Sequence, residues 1–263
     1  LRAPLFGGNL IHPALVAQFT GDITTTPPSD HYYLKLKTSN IHEVAATFAE
    51  WAGLSPPMAL SKPLHRIGSP RALTSDAFQM AIKELQRLVL KSCNGITSRS
   101  SVLQVINFHN LYTCAVALQI VWGVGGRGDR IEAITFDSMF ASERYLLISD
   151  RRVDKYAQHR VCPTTAILSA TRLAYLEHLR AVTGLLERAT QKTSKAKASS
   201  NKPEAPAFQI YEAKGESWIA RALERSDLVK LAQRVGISEL NAPRHFWFTE
   251  LVEQGVSQVA IEA

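Results

Sequence analysis

Apolar residues return every three or four positions along most of this chain, a spacing that predicts amphipathic helices. "IHEVAATFAEWAGL" keeps it up to Gly53, and Asn40 with Glu43 three positions later has the form of a capping box. "DAFQMAIKELQRLVLKSC", opened by Ser75, keeps it up to Asn94-Gly95, where glycine accepts a left-handed cap. From about Ser98, "SVLQVINFHNLYTCAVALQIVW" is apolar on nearly every side, which predicts a long helix inside a helical core. It ends in "GVGGRGDR". The period then shortens to two, and "IEAITFDSM", "RYLLISDRRV" and "HRVCPTT" are expected as three short strands of one antiparallel sheet. Pro163 is expected to start the next helix, "TTAILSATRLAYLEHLRAVTGLLERA". Ser226 caps "DLVKLAQRVG", and a last patterned helix runs from "NAPRHFW" to near Gly255, with "VSQVAIEA" beginning one more.

Between these elements the pattern weakens. Residues 1–39 are irregular, with "TTTPPS" reading as a turn and "HYYLKLKT" as a short strand. Residues 190–207, "TQKTSKAKASSNKPEAPA", hold four Lys, one Glu and no large apolar side chain, so a flexible loop is expected there. The whole pattern predicts a mainly α fold with a small three-stranded antiparallel sheet, an α+β protein. It divides into a helical region, 1–97, and a second domain, 98–263.

Composition narrows the class. With 46% hydrophobic and 20% charged residues the chain is an ordinary globular one. Its longest apolar stretch, around Cys114 to Val124, is too short and interrupted to span a bilayer. No secretory signal pattern opens the chain, which starts at Leu1 without Met and is expected to be a fragment or a processed form. Cys93, Cys114 and Cys162 form no CxxC pair and have no zinc spacing, so buried thiols in a reducing cytosol are expected, without a metal. Lys and Arg outnumber Asp and Glu by 30 to 23, for a net charge of +7, which suits a polyanionic partner.

Three basic residues sit where local structure gives them no obvious task. Arg127, in "GGRGDR", lies in a glycine-rich turn at the end of the apolar helix, where missing Cβ atoms let a large ligand approach; it could equally complement the negative end of that helix. Lys155 lies in the turn between the second and third expected strands, where a lysine also serves simply to blunt a sheet edge. Arg244 follows Asn241, a good N-cap, and Pro243, which suits a first helical turn. A cation at that positive helix end is misplaced unless an anion answers it, or an acid such as Glu239 or Glu250 reaches it.

Taken in order, these features resemble the catalytic domain of the tyrosine recombinases, the phage integrase family. "GGRGDRIEAITFD" is similar to the family's turn around its first Arg. Lys155, Arg160, Val161 and Pro163 resemble its hairpin, and "NAPRHFWFTELVEQGVSQVAIEA" resembles its second box, H-x-x-R-H followed by an amphipathic helix. The likeness covers about residues 98–263. It implies a recombinase-like core that binds double-stranded DNA and joins strands through a phosphotyrosine, with no metal and no small-molecule cofactor. Arg127 and Arg244 would stabilise the phosphorane-like state with two guanidinium forks, and Lys155 would protonate the departing 5′ oxygen. Arg130, Arg160, His245, Lys192, Lys195 and Lys197 would contact DNA, although His245, about 100° round the helix from Arg244, is also suited to supporting that helix.

The resemblance further implies a homotetramer on DNA for the full-length protein, with the given residues expected as a monomer, a cytoplasmic, nucleoid-associated protein of bacterial or phage origin, and a place in a mobile genetic element. Residues 1–97 would then correspond to the family's DNA-clamping helical domain.

Two departures stand out. Asn241 occupies the position of the family's His; it can hydrogen-bond a phosphate oxygen but cannot take up a proton at neutral pH. The family's third ligand and its nucleophilic Tyr come roughly 23 and 32 residues after the second Arg. That position falls beyond residue 263, so these residues by themselves are expected to bind DNA without cutting it. Two other readings fit the same residues: a recombinase-like DNA-binding or architectural protein with impaired catalysis, and a type IB topoisomerase-like enzyme.

Overall fold

A helix that is apolar on all sides must be wrapped by others, and this one is. In the computed structural model, which describes residues 35–57, 66–68, 71–97, 100–149, 159–190, 205–214, 217–254 and 256, the chain forms two units. One comprises residues 76–241 and the other residues 1–75 with 242–263. The pattern alone had suggested a division at residue 97; contacts instead group the helix at 75–93 with the elements that follow it.

The unit of residues 76–241 contains α2 (Ser75–Cys93), α3 (Val102–Gly123), a 3-10 turn (Ile131–Ala133), α4 (Phe136–Phe140), β3 (Tyr145–Ser149), β4 (His159–Pro163), α5 (Ala166–Thr190), β5 (Gln209–Lys214), β6 (Ser217–Ala222) and α6 (Arg225–Arg234). The other holds β1 (Lys35–Lys37), α1 (Thr38–Trp51), β2 (Arg66–Gly68) and α7 (Ala242–Glu253). In that second unit β1 pairs antiparallel with β2, and both α1 and α7 pack on β1. Helix α1 starts at Thr38, so Asn40 lies inside it and does not cap it.

The axis of the larger unit is α3. Ser101 caps it: its hydroxyl accepts from the Gln104 N–H, and the Gln104 side chain accepts from the Ser101 N–H at 2.9 Å, a full capping box. Val105 and Ile106 of α3 then bury against Val182 and Leu186 of α5 and against Tyr211 and Trp218 of the β5–β6 hairpin. Each aliphatic side chain so buried contributes roughly 1.5–3 kcal/mol.

Polar residues interrupt this apolar helix for a reason. Asn110 donates to the Tyr211 carbonyl at 2.7 Å and accepts from the Tyr211 N–H at 2.8 Å, while His109 Nε2 lies 3.0 Å from the Gln209 carbonyl. Strand β5 pairs with β6 along its other edge, from Gln209↔Ala222 to Lys214↔Ser217. The helix thus supplies hydrogen bonds to a sheet edge that would otherwise expose its backbone.

The expected three-stranded sheet is a two-stranded one. Strands β3 and β4 pair antiparallel, Tyr145 opposite Pro163 and Ser149 opposite His159, but residues 131–140 turn helical instead of extending. Thr135 caps α4 by accepting from the Ser138 N–H at 3.1 Å, and this local cap wins over the alternation of Ile134, Thr135 and Phe136. Only Thr135 keeps a bridge, to Pro206. Ala207 donates to the Ile134 carbonyl at 2.7 Å, so the end of the expected loop is anchored; residues 191–204 lie outside the described residues.

Other boundaries also shift. Pro163 ends β4, and α5 begins at Ala166 after Thr165, whose hydroxyl accepts from the Leu168 N–H. Glu224, not Ser226, caps α6, in a reciprocal pair with Asp227. Gly95 ends α2 without a positive φ. The described residues are mainly helical with three small two-stranded antiparallel sheets, an α+β arrangement. No described helix is long and apolar enough to cross a membrane.

Candidate functional site

The turn after α3 has a backbone that suits glycine. Gly125 and Gly128 adopt φ of +61° and +69°, and the Gly126 N–H donates to the Val121 carbonyl at 2.7 Å. A Cβ on Gly128 would meet Val121 at 3.4 Å, Leu240 at 3.6 Å and Leu228 at 3.8 Å, so the turn is seated directly on the core. Behind it, Val121, Ile131, Ile134 and Ile148 enclose a void of about 10 Å³, room for at most one water. Arg127 lies in this turn, half-buried, between the two left-handed glycines.

Charged neighbours frame the turn. Arg130 precedes the 3-10 turn, with its Nε 3.9 Å from Glu132. Asp129 accepts from Arg225 Nε at 2.7 Å, which ties the turn to the first residue of α6. Both side chains are about half exposed, so the pair contributes at most about 1 kcal/mol, and its importance lies in where it holds a guanidinium. Arg225 was missed in the sequence, although the argument made for Arg244 applies to it equally: it is a cation at a helix N-terminus.

A stronger network fixes α6 to the hairpin. Arg221 of β6 presents its fork to Asp227, Nη1 at 2.9 Å and Nη2 at 3.1 Å, and its Nε bonds Glu212 across the strand pair. Burial pushes the Asp227 carboxyl up, but the Arg221 guanidinium and the Glu224 N–H more than offset this, and its pKa ends below the ordinary value. Bonding to Asp227 and Glu212 holds the guanidinium charged even more firmly than usual.

The remaining expected site residues divide as follows. Arg160 lies in β4 opposite Ile148, while Lys155 and Lys192, Lys195 and Lys197 lie outside the described residues. Asn241 is half-buried and immediately precedes α7, the place of an N-cap. Arg244 falls in the first turn of α7, which has no acidic residue, and is half-buried. His245, expected among the DNA contacts, is fully buried. A ring without exposed surface packs its helix and cannot meet a phosphate. Arg127, Arg130, Arg160 and Asn241 belong to the unit of residues 76–241, and Arg244 and His245 to the other.

An open groove of about 490 Å³ between α2, α3 and α5 is a poorer candidate for an anion. Leu90, Tyr112, Ala115 and Ala174 are among its lining, which includes no Lys, Arg or His. Among the described residues no cluster of three or more His, Cys, Asp or Glu could hold a metal ion. No family model matches the sequence, and no curated protein matches it either.

Proposed function

We propose that this chain binds duplex DNA through its phosphates as the core of a tyrosine-type site-specific recombinase. The observation that supports the reading is the turn that carries Arg127: it lies between two glycines of positive φ, is seated on packed side chains, and has its Asp129 tied to Arg225. Rigid placement matters because a fork stabilises a charged transition state only if it need not reorganise when charge develops. Arg244 falls in the first turn of α7, where its guanidinium and the helix N–H groups are both positive, a combination suited to a phosphate.

In this reading Arg127 and Arg244 are each a ligand for non-bridging phosphate oxygens. Asn241 would hydrogen-bond such an oxygen, and Lys155 would protonate the leaving 5′ oxygen. Arg130 and Arg160 position the neighbouring backbone. Strand cleavage requires a tyrosine that the family carries beyond the position of residue 263.

Binding of a short fluorescent duplex, followed by anisotropy across a salt series, tests the proposal. Arg127→Ala and Arg244→Ala should each weaken binding about tenfold and reduce the salt slope by about 0.9, the share of one phosphate contact. Wild-type affinity and slope in both variants would overturn it.

Asn241 favours a second reading, a recombinase-like DNA-binding module with impaired chemistry, because an amide cannot act as a base. A longer form bearing the family's tyrosine separates the two on a nicked suicide substrate: a covalent protein–DNA adduct supports the enzyme, and binding without adduct supports the module.

A further inference from the structure

Two imidazoles meet end to end where α3, α5 and β5 join. The His109 and His178 rings lie within 5° of parallel with centroids 5.2 Å apart, and His109 Nδ1 is 3.1 Å from His178 Nε2. This is the geometry of an in-plane N–H···N bond. The other nitrogen of His109 faces the Gln209 carbonyl at 3.0 Å, with the Thr113 hydroxyl at 3.5 Å. Tyr211 stacks on His109 at 4.2 Å, Tyr112 lies 4.3 Å from His178, and Phe108 meets His178 edge-on at 5.3 Å.

These contacts assign the protons. A carbonyl only accepts, so His109 Nε2 carries hydrogen; its Nδ1 is then the acceptor, and His178 Nε2 must donate to it. A first additional proton has one place to go, His178 Nδ1. A second would fall on His109 Nδ1 and set two N–H groups against each other.

The surroundings do not welcome charge. The titratable rings against the pair are Tyr112 on α3, Tyr175 on α5 and Tyr211 on β5, with Cys93 and Glu177 acting on Tyr112 and Cys114 on Tyr175. Glu177 is exposed and acts on Tyr112, and no described carboxylate bonds either imidazole. His109 is fully buried.

We propose that the His109–His178 pair is an acid-released fastener: while both rings are neutral it holds the β5 edge to α3 and α5, and protonation of the separated rings frees the β5–β6 hairpin. Burial, opposed only by the Gln209 carbonyl, lowers the His109 pKa to about 4, and burial together with His109 lowers that of His178 to about 3. Both values lie below the ordinary 6.5, so the contribution to stability is full above pH 6.5 and is lost as pH falls toward 4. The hairpin is fastened to α6 through Arg221 and Asp227, and α6 to the Arg127 turn through Arg225 and Asp129, so its release also loosens that turn.

Amide hydrogen exchange on the full chain, corrected for intrinsic rates, tests this device. Opening at Tyr211 should rise ~100-fold between pH 7.5 and 5.5 if two histidines regain ordinary values on release, while Leu118, buried toward the C-terminal end of α3, changes little. His178→Phe should reduce the rise to ~10-fold, the dependence left by one histidine. A wild-type rise under ~3-fold, or a variant with the wild-type dependence, would overturn the proposal. Imidazole nitrogen-15 shifts of the wild type give a reading that needs no variant: both rings should remain neutral Nε2–H tautomers down to pH 5, and titration of either near 6.5 in the folded protein would equally overturn it.

Discussion

Replacing Asn110 by alanine should detach the edge of β5 from α3. Two hydrogen bonds are lost, one in each direction with the Tyr211 backbone, at 2.7 and 2.8 Å. Each contributes about 1 kcal/mol net, and leaving one Tyr211 group dry adds about 1 kcal/mol more, since half-buried Asn110 leaves room for water to reach the other. The expected cost is therefore about 3 kcal/mol, or roughly 6–12 °C in Tm for a unit of this size. Asn110→Asp supplies the sharper test. It preserves shape and the acceptor for the Tyr211 N–H, but sets a carboxylate oxygen against the Tyr211 carbonyl, so at pH 7 it should cost more than alanine. Urea unfolding followed by tryptophan fluorescence, with exchange at the Tyr211 amide as the local check, measures both. A loss under about 0.5 kcal/mol for Asn110→Ala, or an aspartate variant more stable than the alanine one, would refute the edge-clasp argument.

Other substitutions probe the same framework. Arg172 is buried, donates to the Ser142 carbonyl at 2.7 Å and the Tyr145 carbonyl at 3.4 Å, and lies over the Phe140 ring. Arg172→Met keeps the packing and removes a buried charge, so it should retain at least about 1 kcal/mol more stability than Arg172→Ala in thermal melts. Gly128→Ala should cost about 1–2 kcal/mol because of its positive φ, whereas Gly95→Ala, with open space and no positive φ, should stay within about 0.5 kcal/mol by urea unfolding. Cys93 is exposed, whereas burial pushes the Cys114 thiol up to about 12. Iodoacetamide at pH 8 should therefore alkylate Cys93 well ahead of Cys114, as read by peptide mass spectrometry.

Much of the helical framework is legible along the chain because its signals are local. The spacing of Val105, Ile106 and their neighbours marks α3, and Ser75 and Asn241 fall at helix starts, whereas the Ser101–Gln104 cap sets the start of α3 a few residues after the expected Ser98. The glycines around Arg127 also announce a turn that needs left-handed backbone. Two local signals competed at Thr135, where alternation suggested a strand and the Thr135–Ser138 cap produced a helix. The β5–β6 hairpin, "QIYEAK" and "SWIARA", has no clean alternation to announce it, and its partner edge lies on α3.

Partners far apart in the chain could not be read this way. His109, Asn110 and Thr113 look like polar lapses in an apolar helix until β5, about a hundred positions later, is seen to use two of them. Arg225 looks like an ordinary helix-end residue until Asp129 is found beside it. Sequence periodicity determines which backbone segments coil and which faces are apolar, because those depend on neighbours three or four residues away. Which polar groups those faces bring together, and therefore which histidines stay neutral and which arginines crowd one turn, depends on how the faces pack, and tertiary structure alone decides that.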